Sequence, residues 1–321
     1  MPFFILVIFH TVLSSGSGSS SDHFYPSGKG IRAAYFPSPS SFSPSSIDTQ
    51  CFTHIYYAFL QPEPSTYKLY VTQFDQARIP EFIKALRTKN PPVTTLLSIG
   101  GGDNNAQFRW LGNRGSRALE LSGKPRLLLT SAVYYASKFP FYGGPRSYPA
   151  GAISKYWDWA SPMCYDYHGS WENFTGMKAA LDDSNSNIST RYGIRLWIEA
   201  GGFGFSLRQL VGILLISVSG PWCPTQKSHR GSAKVNGIGA PALGVGPRYG
   251  VLVYHQIVHF NKRTNATVVF DAESASYYSY SGRSWIGYDG VQSVDVKVRF
   301  AKLLGLGGYF FWALACNAWK Y

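Results

Sequence analysis

The chain has 321 residues, enough for one (β/α)8 barrel of about 250 residues plus a small inserted module, and a single large domain is its simplest reading. Its formal charge is +13, but the Lys and Arg residues are scattered and form no basic helix, which argues against a nucleic-acid or membrane-surface binder. The four cysteines, Cys51, Cys164, Cys223 and Cys316, lack Cys-x-x-Cys spacing, so no zinc site is expected and one or two disulfides stay open.

In chain order, Phe3 to Phe9 is an apolar run that gives way to Ser14–Ser21. It is too short to span a bilayer and sits where a secretory signal belongs, although no Lys or Arg precedes it. Residues 1–22 are therefore expected to be a signal peptide and flexible tail, and residues 23–321 the folded body. Three Asn-x-Ser/Thr sites, at Asn173, Asn187 and Asn265, agree with a secreted protein, extracellular or vacuolar.

Ile31–Phe36, His54–Phe59 and Val93–Ile99 read as strands. Pro37–Ser46 reads as the loop after the first of them. Between the second and third, Ile79, Phe82, Ile83 and Leu86 recur at helical spacing over Gln76–Lys89, with Pro80 admissible in a first turn. Strand, helix and strand in alternation imply a parallel sheet. Arg126–Tyr135 and Trp159–Tyr165 read as further strands, with Cys164 a buried thiol acting as a small hydrophobe. The stretch Gly101–Lys124 holds one helix-sized crossover. Leu210–Val218 is an apolar run for a buried strand or helix, and Pro221–Ala233 reads as loop. Val251–Gly290 alternates aromatic and polar residues around Asn265, Ser281-Gly282 and Asp289-Gly290, suggesting a hairpin-rich insertion at about 246–291. A helix over Val294–Leu304 and a last strand over Gly308–Leu314 follow.

Four strands end in distinctive cassettes: His54-Ile-Tyr-Tyr-Ala-Phe59, Ser98-Ile-Gly-Gly101, Met163-Cys-Tyr-Asp-Tyr-His-Gly169 and Gly308-Tyr-Phe-Phe-Trp312. Each is an apolar run ending in Gly, a polar group or an aromatic, as where parallel barrel strands deliver side chains to a mouth. With Asn236-Gly-Ile-Gly-Ala-Pro-Ala and Thr267-Val-Val-Phe-Asp-Ala-Glu, they make Ile31–Trp319 resemble glycoside hydrolase family 18, in particular the plant class V chitinases.

The resemblance implies an α/β fold, a (β/α)8 TIM-type barrel with a small α+β insertion domain. It also implies retaining hydrolysis of β-1,4-N-acetylglucosamine polymers, in which the substrate's own 2-acetamido oxygen is the nucleophile and one carboxylic acid donates the proton. Chitin or its oligosaccharides would be the partner, with no metal, no cofactor and a monomeric protein. By resemblance Tyr165 donates its hydroxyl to the acetamido carbonyl, the role of an oxyanion donor, and Asp166 makes a polar contact at the same subsite. Trp312 matches the aromatic floor under the distorted sugar; Tyr35, Phe59, Ala132, Tyr134 and Met163 match residues lining the site. Ser98, Gly100 and Gly101 match the third-strand signature, in which small residues admit a close backbone. Core packing is the alternative for Phe59, Tyr134 and Met163. His168 is expected to be a structural hydrogen-bonding residue.

The family's fourth strand should carry Asp-x-x-Asp-x-Asp-x-Glu, three carboxylates on one face that keep the last one protonated. This chain has none. Asp271-Ala-Glu273 and Glu120 are poorly placed to substitute for it. A second departure falls at Arg208–Lys234, where the family's strand is replaced by an unrelated run. The expectation is an incomplete barrel, its fourth strand missing and its seventh altered, with unpaired edges and with hydrolysis lost or strongly impaired. Alternatives are a lectin-like N-acetylglucosamine binder and the product of a degraded or misassembled gene.

Overall fold

The computed structural model of the chain describes residues 7–9, 30–63, 66, 68–101, 128–139, 146–169, 171–201, 206–213, 220–224, 237–242 and 251–314. In chain order come β1 (Val7–Phe9), β2 (Ile31–Pro37), β3 (His54–Pro62), β4 (Leu69–Tyr70), α1 (Gln73–Arg87), β5 (Thr94–Ile99) and β6 (Thr130–Tyr134). Next are β7 (Lys138–Phe139), β8 (Arg146–Ser147), α2 (Ala150–Tyr156), β9 (Trp159–Met163), α3 (Thr190–Gly201), β10 (Val211–Ile213) and β11 (Gly220–Pro224). Then follow β12 (Val251–Leu252), α4 (Tyr254–Thr264), β13 (Thr267–Asp271), β14 (Ser276–Ser281), β15 (Ser284–Tyr288), α5 (Val291–Leu303) and β16 (Gly308–Phe311). The chain divides into two compact units. The first takes Met1–Met163, Leu196–Ile213 and Ala301–Phe310; the second takes Cys164–Arg195, Leu214–Phe300 and Phe311–Tyr321.

The first unit is built on a nine-stranded sheet in the order β10-β16-β2-β3-β5-β1-β6-β9, with β4 added to β3. Pairing is parallel for β10–β16, β2–β3, β3–β5 and β6–β9. In contrast, β1 runs antiparallel to both of its neighbours. The sheet is an open path; one isolated parallel bridge, Ala160 to Leu210, ties β9 to the residue ahead of β10. The expected strand–helix–strand alternation is present, while no barrel closed by continuous ladders occurs among the described residues. The crossover stretch from residue 102 to residue 127, Glu120 included, lies outside them.

Continuous apolar runs give this sheet its burial. Ala33, Ala34, Tyr35 and Phe36 on β2, and Ile55, Tyr56, Tyr57 and Ala58 on β3, are at most 2 % exposed, as in a parallel sheet covered on both faces. Helix α1 starts in a capping box: Asp75 N–H donates to the Thr72 hydroxyl at 3.1 Å and Thr72 N–H to the Asp75 carboxylate at 3.3 Å. The buried Asp75 also accepts from the Tyr57 hydroxyl at 2.7 Å, pinning the helix to β3. Pro80 lies in the helix interior rather than in its first turn. An interior proline costs about 3 kcal/mol. Fully burying Phe82 and Leu86, which follow the proline in the same helix, contributes about 1.5–3 kcal/mol each, so tertiary packing overrides the local penalty.

The second unit carries an antiparallel five-stranded sheet, β12-β11-β15-β14-β13. Helix α4 packs on it through Ile257, against Ile286 and Tyr288, with Leu252, Tyr254, Phe260 and Tyr277 around them. This is an α+β module, and it reaches beyond the expected span. Residues 221–224, read as loop from their lack of periodicity, form β11, with Trp222 opposite Ile286 and Cys223 opposite Trp285. The pairing partner lies some sixty residues later, where no local pattern reveals it. Asn265 ends α4 in the left-handed conformation with φ 47°, a role for which Asn is second only to Gly. Of the apolar run at Leu210–Val218, Val211–Ile213 form a strand parallel to β16; residues 214–219 and 225–236 lie outside the described residues.

Candidate functional site

On the first unit, the sequence-predicted residues sit at the C-terminal ends of parallel strands. Tyr35 is buried on β2, its ring 4.6 Å from that of Tyr56, 5.5 Å from Phe310 and 6.2 Å from Phe59. Phe59 would point away from Tyr35 in a regular strand, since Tyr56 and Ala58 share a face. The β3–β5 register shifts between Ala58 and Leu60, and this irregularity re-aims Phe59 toward the Tyr35 cluster. A side chain on Gly101, whose φ is 110°, would meet the Phe59 ring at 2.9 Å, so the second glycine of Ser-Ile-Gly-Gly is required where it stands. Ser98, opposite Ala58, is fully buried and its hydroxyl has no partner among the described residues.

Ala132 and Tyr134 on β6 lie opposite Ser161 and Met163 on β9, so the four share one face of the sheet. The Trp197 indole donates to the Tyr134 carbonyl at 3.0 Å, and Tyr134 N–H donates to the Tyr148 hydroxyl at 3.1 Å. Burial raises the Tyr134 phenol above its ordinary value. The sequence predictions thus fall into two groups here: Tyr35 with Phe59, and Ala132 with Tyr134 and Met163.

Tyr165, Asp166 and Trp312 belong to the second unit. Burial, then the Asp166 charge and Cys164, push the Tyr165 phenol far above its ordinary value. It stays protonated at any working pH and is available as a hydrogen-bond donor. Asp166 adopts φ 53°, a left-handed conformation that Asp tolerates better than most residues. Its Oδ1 is held by Lys178 Nζ at 3.1 Å, and Tyr167 N–H donates to the Lys178 carbonyl at 3.0 Å. The motif reading missed Lys178, because nothing in the spacing of twelve residues marks the contact. Trp312 follows directly on β16 and is half-buried.

His168 Nδ1 lies 3.0 Å from Glu172 Oε2, and Gly169 N–H donates to the same carboxylate at 3.2 Å, closing the turn after the cassette. Cys164 is buried and free, its thiol pushed up to about 12 chiefly by burial. The two acids weighed as substitutes in the β13–β14 turn accept from backbone N–H groups: Asp271 from Ser274 at 2.8 Å in the turn itself, and Glu273 from Ser184, a residue distant in sequence. Asn173, Asn187 and Asn265 are exposed. Among the described residues no group of three His, Cys, Asp or Glu could hold a metal ion, and no helix is long and apolar enough to cross a membrane.

The Lys178–Asp166 pair has a testable weight. Because about half of the Asp166 side chain is exposed, Lys178→Met is expected to change stability by less than about 1 kcal/mol. Thermal melts of the variant beside the parent check this.

The sequence profile of the glycosyl hydrolases family 18 matches residues 113–316. A class V chitinase of Medicago truncatula, CHIT5a, is 41% identical over 380 residues, covering 98% of this chain and 96% of the relative. A class V chitinase of Lotus japonicus, CHIT5, is 43% identical over 359 residues, covering 92% of this chain and 88% of the relative. Among solved structures, a family 18 chitinase of Cycas revoluta in complex with (GlcNAc)3 superposes with a TM-score of 0.77 at 33% identity, covering 89% of this chain and 96% of that one.

Proposed function

The chain belongs to the glycosyl hydrolases of family 18, and from that premise we propose that it binds chitin oligosaccharides while hydrolysing them weakly or not at all. The chitinase-like character and the TIM-barrel-like fold rest on the relatives. The observation that carries the finer reading is the contrast between a retained acetamido donor and a proton donor not found in the sequence. Tyr165 is kept protonated by its surroundings and beside it stands a carboxylate tied to Lys178, yet no Asp-x-x-Asp-x-Asp-x-Glu follows Ser98-Ile-Gly-Gly. The retaining reaction needs both: a group that steadies the acetamido oxygen as it attacks C1, and an acid that protonates the departing glycosidic oxygen. With the first alone, binding energy is realised but the bond is not broken.

Two features support this reading over that of an ordinary chitinase. A match over 380 residues to a chain of 321 requires stretches of the relative that have no counterpart here. The candidate substitutes Asp271 and Glu273 are engaged by the backbone N–H groups of Ser274 and Ser184. By the resemblance, stacking of a sugar face falls to Trp312. A secretory route, carbohydrate on the exposed Asn173, Asn187 and Asn265, and a monomeric state belong to the same proposal.

Titration with N-acetylglucosamine tetramer and product analysis by mass spectrometry test it together. We expect measurable binding without cleavage. Trp312→Ala should weaken binding about tenfold or more, the range of one lost stacking platform, and Tyr165→Phe should weaken it by a smaller factor of about five, as for one lost hydrogen bond. Cleavage that Tyr165→Phe suppresses would sink the claim of inactivity, and the absence of heat at millimolar sugar would sink the claim of binding.

A further inference from the structure

The segment after the Met163–Gly169 cassette presents two large aromatic side chains to solvent: Trp171 is 54 % exposed and Phe174 44 %. Hydrogen bonds fix the main chain beneath them. Glu172 N–H donates to the Gly169 carbonyl at 3.2 Å, closing a turn that the Glu172 carboxylate braces through Gly169 N–H and His168. Beyond the turn, Asn173–Thr175 run antiparallel to Gly239–Ala242. Ala242 N–H donates to the Asn173 carbonyl at 2.7 Å, Thr175 N–H to the Ala240 carbonyl at 2.8 Å, and Gly239 N–H to the Thr175 carbonyl at 2.8 Å. All of these residues belong to the second unit.

Trp171 is held from one side and wet on the other. A Cβ built at Gly169 would lie 2.4 Å from two carbons of the indole's six-membered ring and 2.9 Å from a third, so the ring rests against the bare main chain of Gly169. More than half of the side chain still faces water. Such a ring is a stacking surface for the apolar C–H face of a sugar, which removes aromatic area from water without leaving a hydroxyl unpaired. Single exposed aromatics are ordinary; the neighbour of this one is not. Asn173, itself exposed, is the acceptor of the triplet Asn173-Phe-Thr175, and Cα atoms two residues apart are at most about 7 Å from each other. The other two Asn-x-Ser/Thr triplets lack such a ring: Asn185 and Arg263 stand two residues ahead of Asn187 and Asn265.

We propose that Asn173 carries an N-linked glycan whose first N-acetylglucosamine stacks on the Trp171 indole, which makes that sugar a packing element of the second unit. Occupancy of Asn173 rests on the secretory reading above, while the stacking on Trp171 goes beyond it. Transfer joins Asn173 Nδ2 to C1 of the first sugar, displaces a lipid diphosphate from that carbon and releases the amide proton; the donor is a lipid-diphosphate oligosaccharide of the secretory route. Thr175 sets the order of events. It is 2 % exposed, its hydroxyl donates to the Gly237 carbonyl at 2.7 Å, and the same oxygen accepts from Ala240 N–H at 3.0 Å. The folded triplet is therefore closed to a transferase, and the glycan is attached before Asn173–Thr175 pair with Gly239–Ala242.

The test compares the full chain secreted by a yeast host with the same chain from a bacterial cytoplasm, peptide mapping by mass spectrometry reading occupancy at Asn173. In the secreted protein, Asn173→Gln should lower the melting temperature by about 2–4 °C, the range of one aromatic stacking contact. In the Trp171→Ala background the same substitution should shift it by less than about 1 °C, because the sugar has lost its platform. Trp171→Phe, which keeps a flat ring, should retain most of the shift. Trimming the glycans enzymatically to one sugar should leave the difference between the parent and Asn173→Gln in place. In the bacterial protein, which carries no sugar, the coupling between the two positions should vanish. Equal shifts in the Trp and Ala backgrounds, or a coupling that persists without sugar, would overturn the stacking and leave the secretory reading standing. So would a loss of affinity for added N-acetylglucosamine tetramer on Trp171→Ala while Asn173 is occupied, since the indole would then serve the free saccharide. An unmodified Asn173 in the secreted chain would overturn both.

Discussion

Replacing Lys297 by Met is expected to lower the stability of the protein by about 3–5 kcal/mol, the usual cost of leaving one partner of a buried ion pair alone. Lys297 Nζ lies 2.6 Å from Asp289 Oδ1 and 3.1 Å from the Ser276 hydroxyl, and all three residues are at most 3 % exposed. Burial pushes the Asp289 carboxyl up and the Lys297 amine down, while their mutual attraction opposes both shifts. Without the ammonium, nothing of opposite charge opposes the desolvation of Asp289, and its folded value rises further. The folded chain then holds that proton more tightly than the unfolded one. Stability of the variant therefore falls as pH climbs from the ordinary aspartate value of 3.8 through the raised folded value. The deficit against the parent should be smallest near pH 4 and largest at neutral pH, read from urea melts at both. The double variant Lys297→Met, Asp289→Asn should recover part of the loss, since the orphaned charge is gone. An unchanged melting temperature at pH 7 would show that the pair is solvated.

The elements that the sequence made legible are those whose burial is continuous. β2, β3 and β5 are apolar runs buried on two faces; the expected starts Ile31 and His54 and the expected end Ile99 agree with the structure, while β3 runs on past Phe59 to Pro62. Where one strand depends on a distant partner, the pattern fails. Pro221–Pro224 lacks periodicity and reads as loop, yet β15 holds Trp222–Pro224 in a sheet. Pro80 reads as a helix start but lies mid-helix, because Phe82 and Leu86 offset its cost.

The candidate site divides in the same way. Strand-end cassettes contain Phe59, Ser98, Met163, Tyr165, Asp166 and Trp312, whereas Tyr35, Ala132 and Tyr134 were indicated by the family resemblance alone. The partners that hold them were hidden. Lys178 reaches Asp166 from twelve residues on, and Trp197 holds the Tyr134 carbonyl from a helix. The irregularity that turns Phe59 toward Tyr35 has no signature beyond an ordinary Ala-Phe-Leu.

Gly308→Ala should be among the most damaging single substitutions in the chain, costing more than about 4 kcal/mol. A Cβ built at Gly308 falls 1.9 Å from the Ile31 carbonyl oxygen and 2.7 Å from its Cα, both backbone atoms that no rotamer change can move. The preceding Gly307 is held just as closely: its N–H donates to the Leu210 carbonyl at 2.8 Å, and its own carbonyl accepts from Ile31 N–H at 2.8 Å. Relief of the clash would have to push β16 away from β2, breaking the order β10-β16-β2 in the sheet. The same strand leads within four residues to Trp312, so saccharide affinity should be lost along with stability rather than separately from it. Gly151→Ala is the matched control. Its Cβ meets nothing within 4 Å in α2, and alanine for glycine in a helix is expected to add about 0.5–1 kcal/mol. If thermal melts place Gly308→Ala beside Gly151→Ala, β16 does not pack on β2 as tightly as the close approach at Ile31 requires, and the positioning of Trp312 by that strand falls with it.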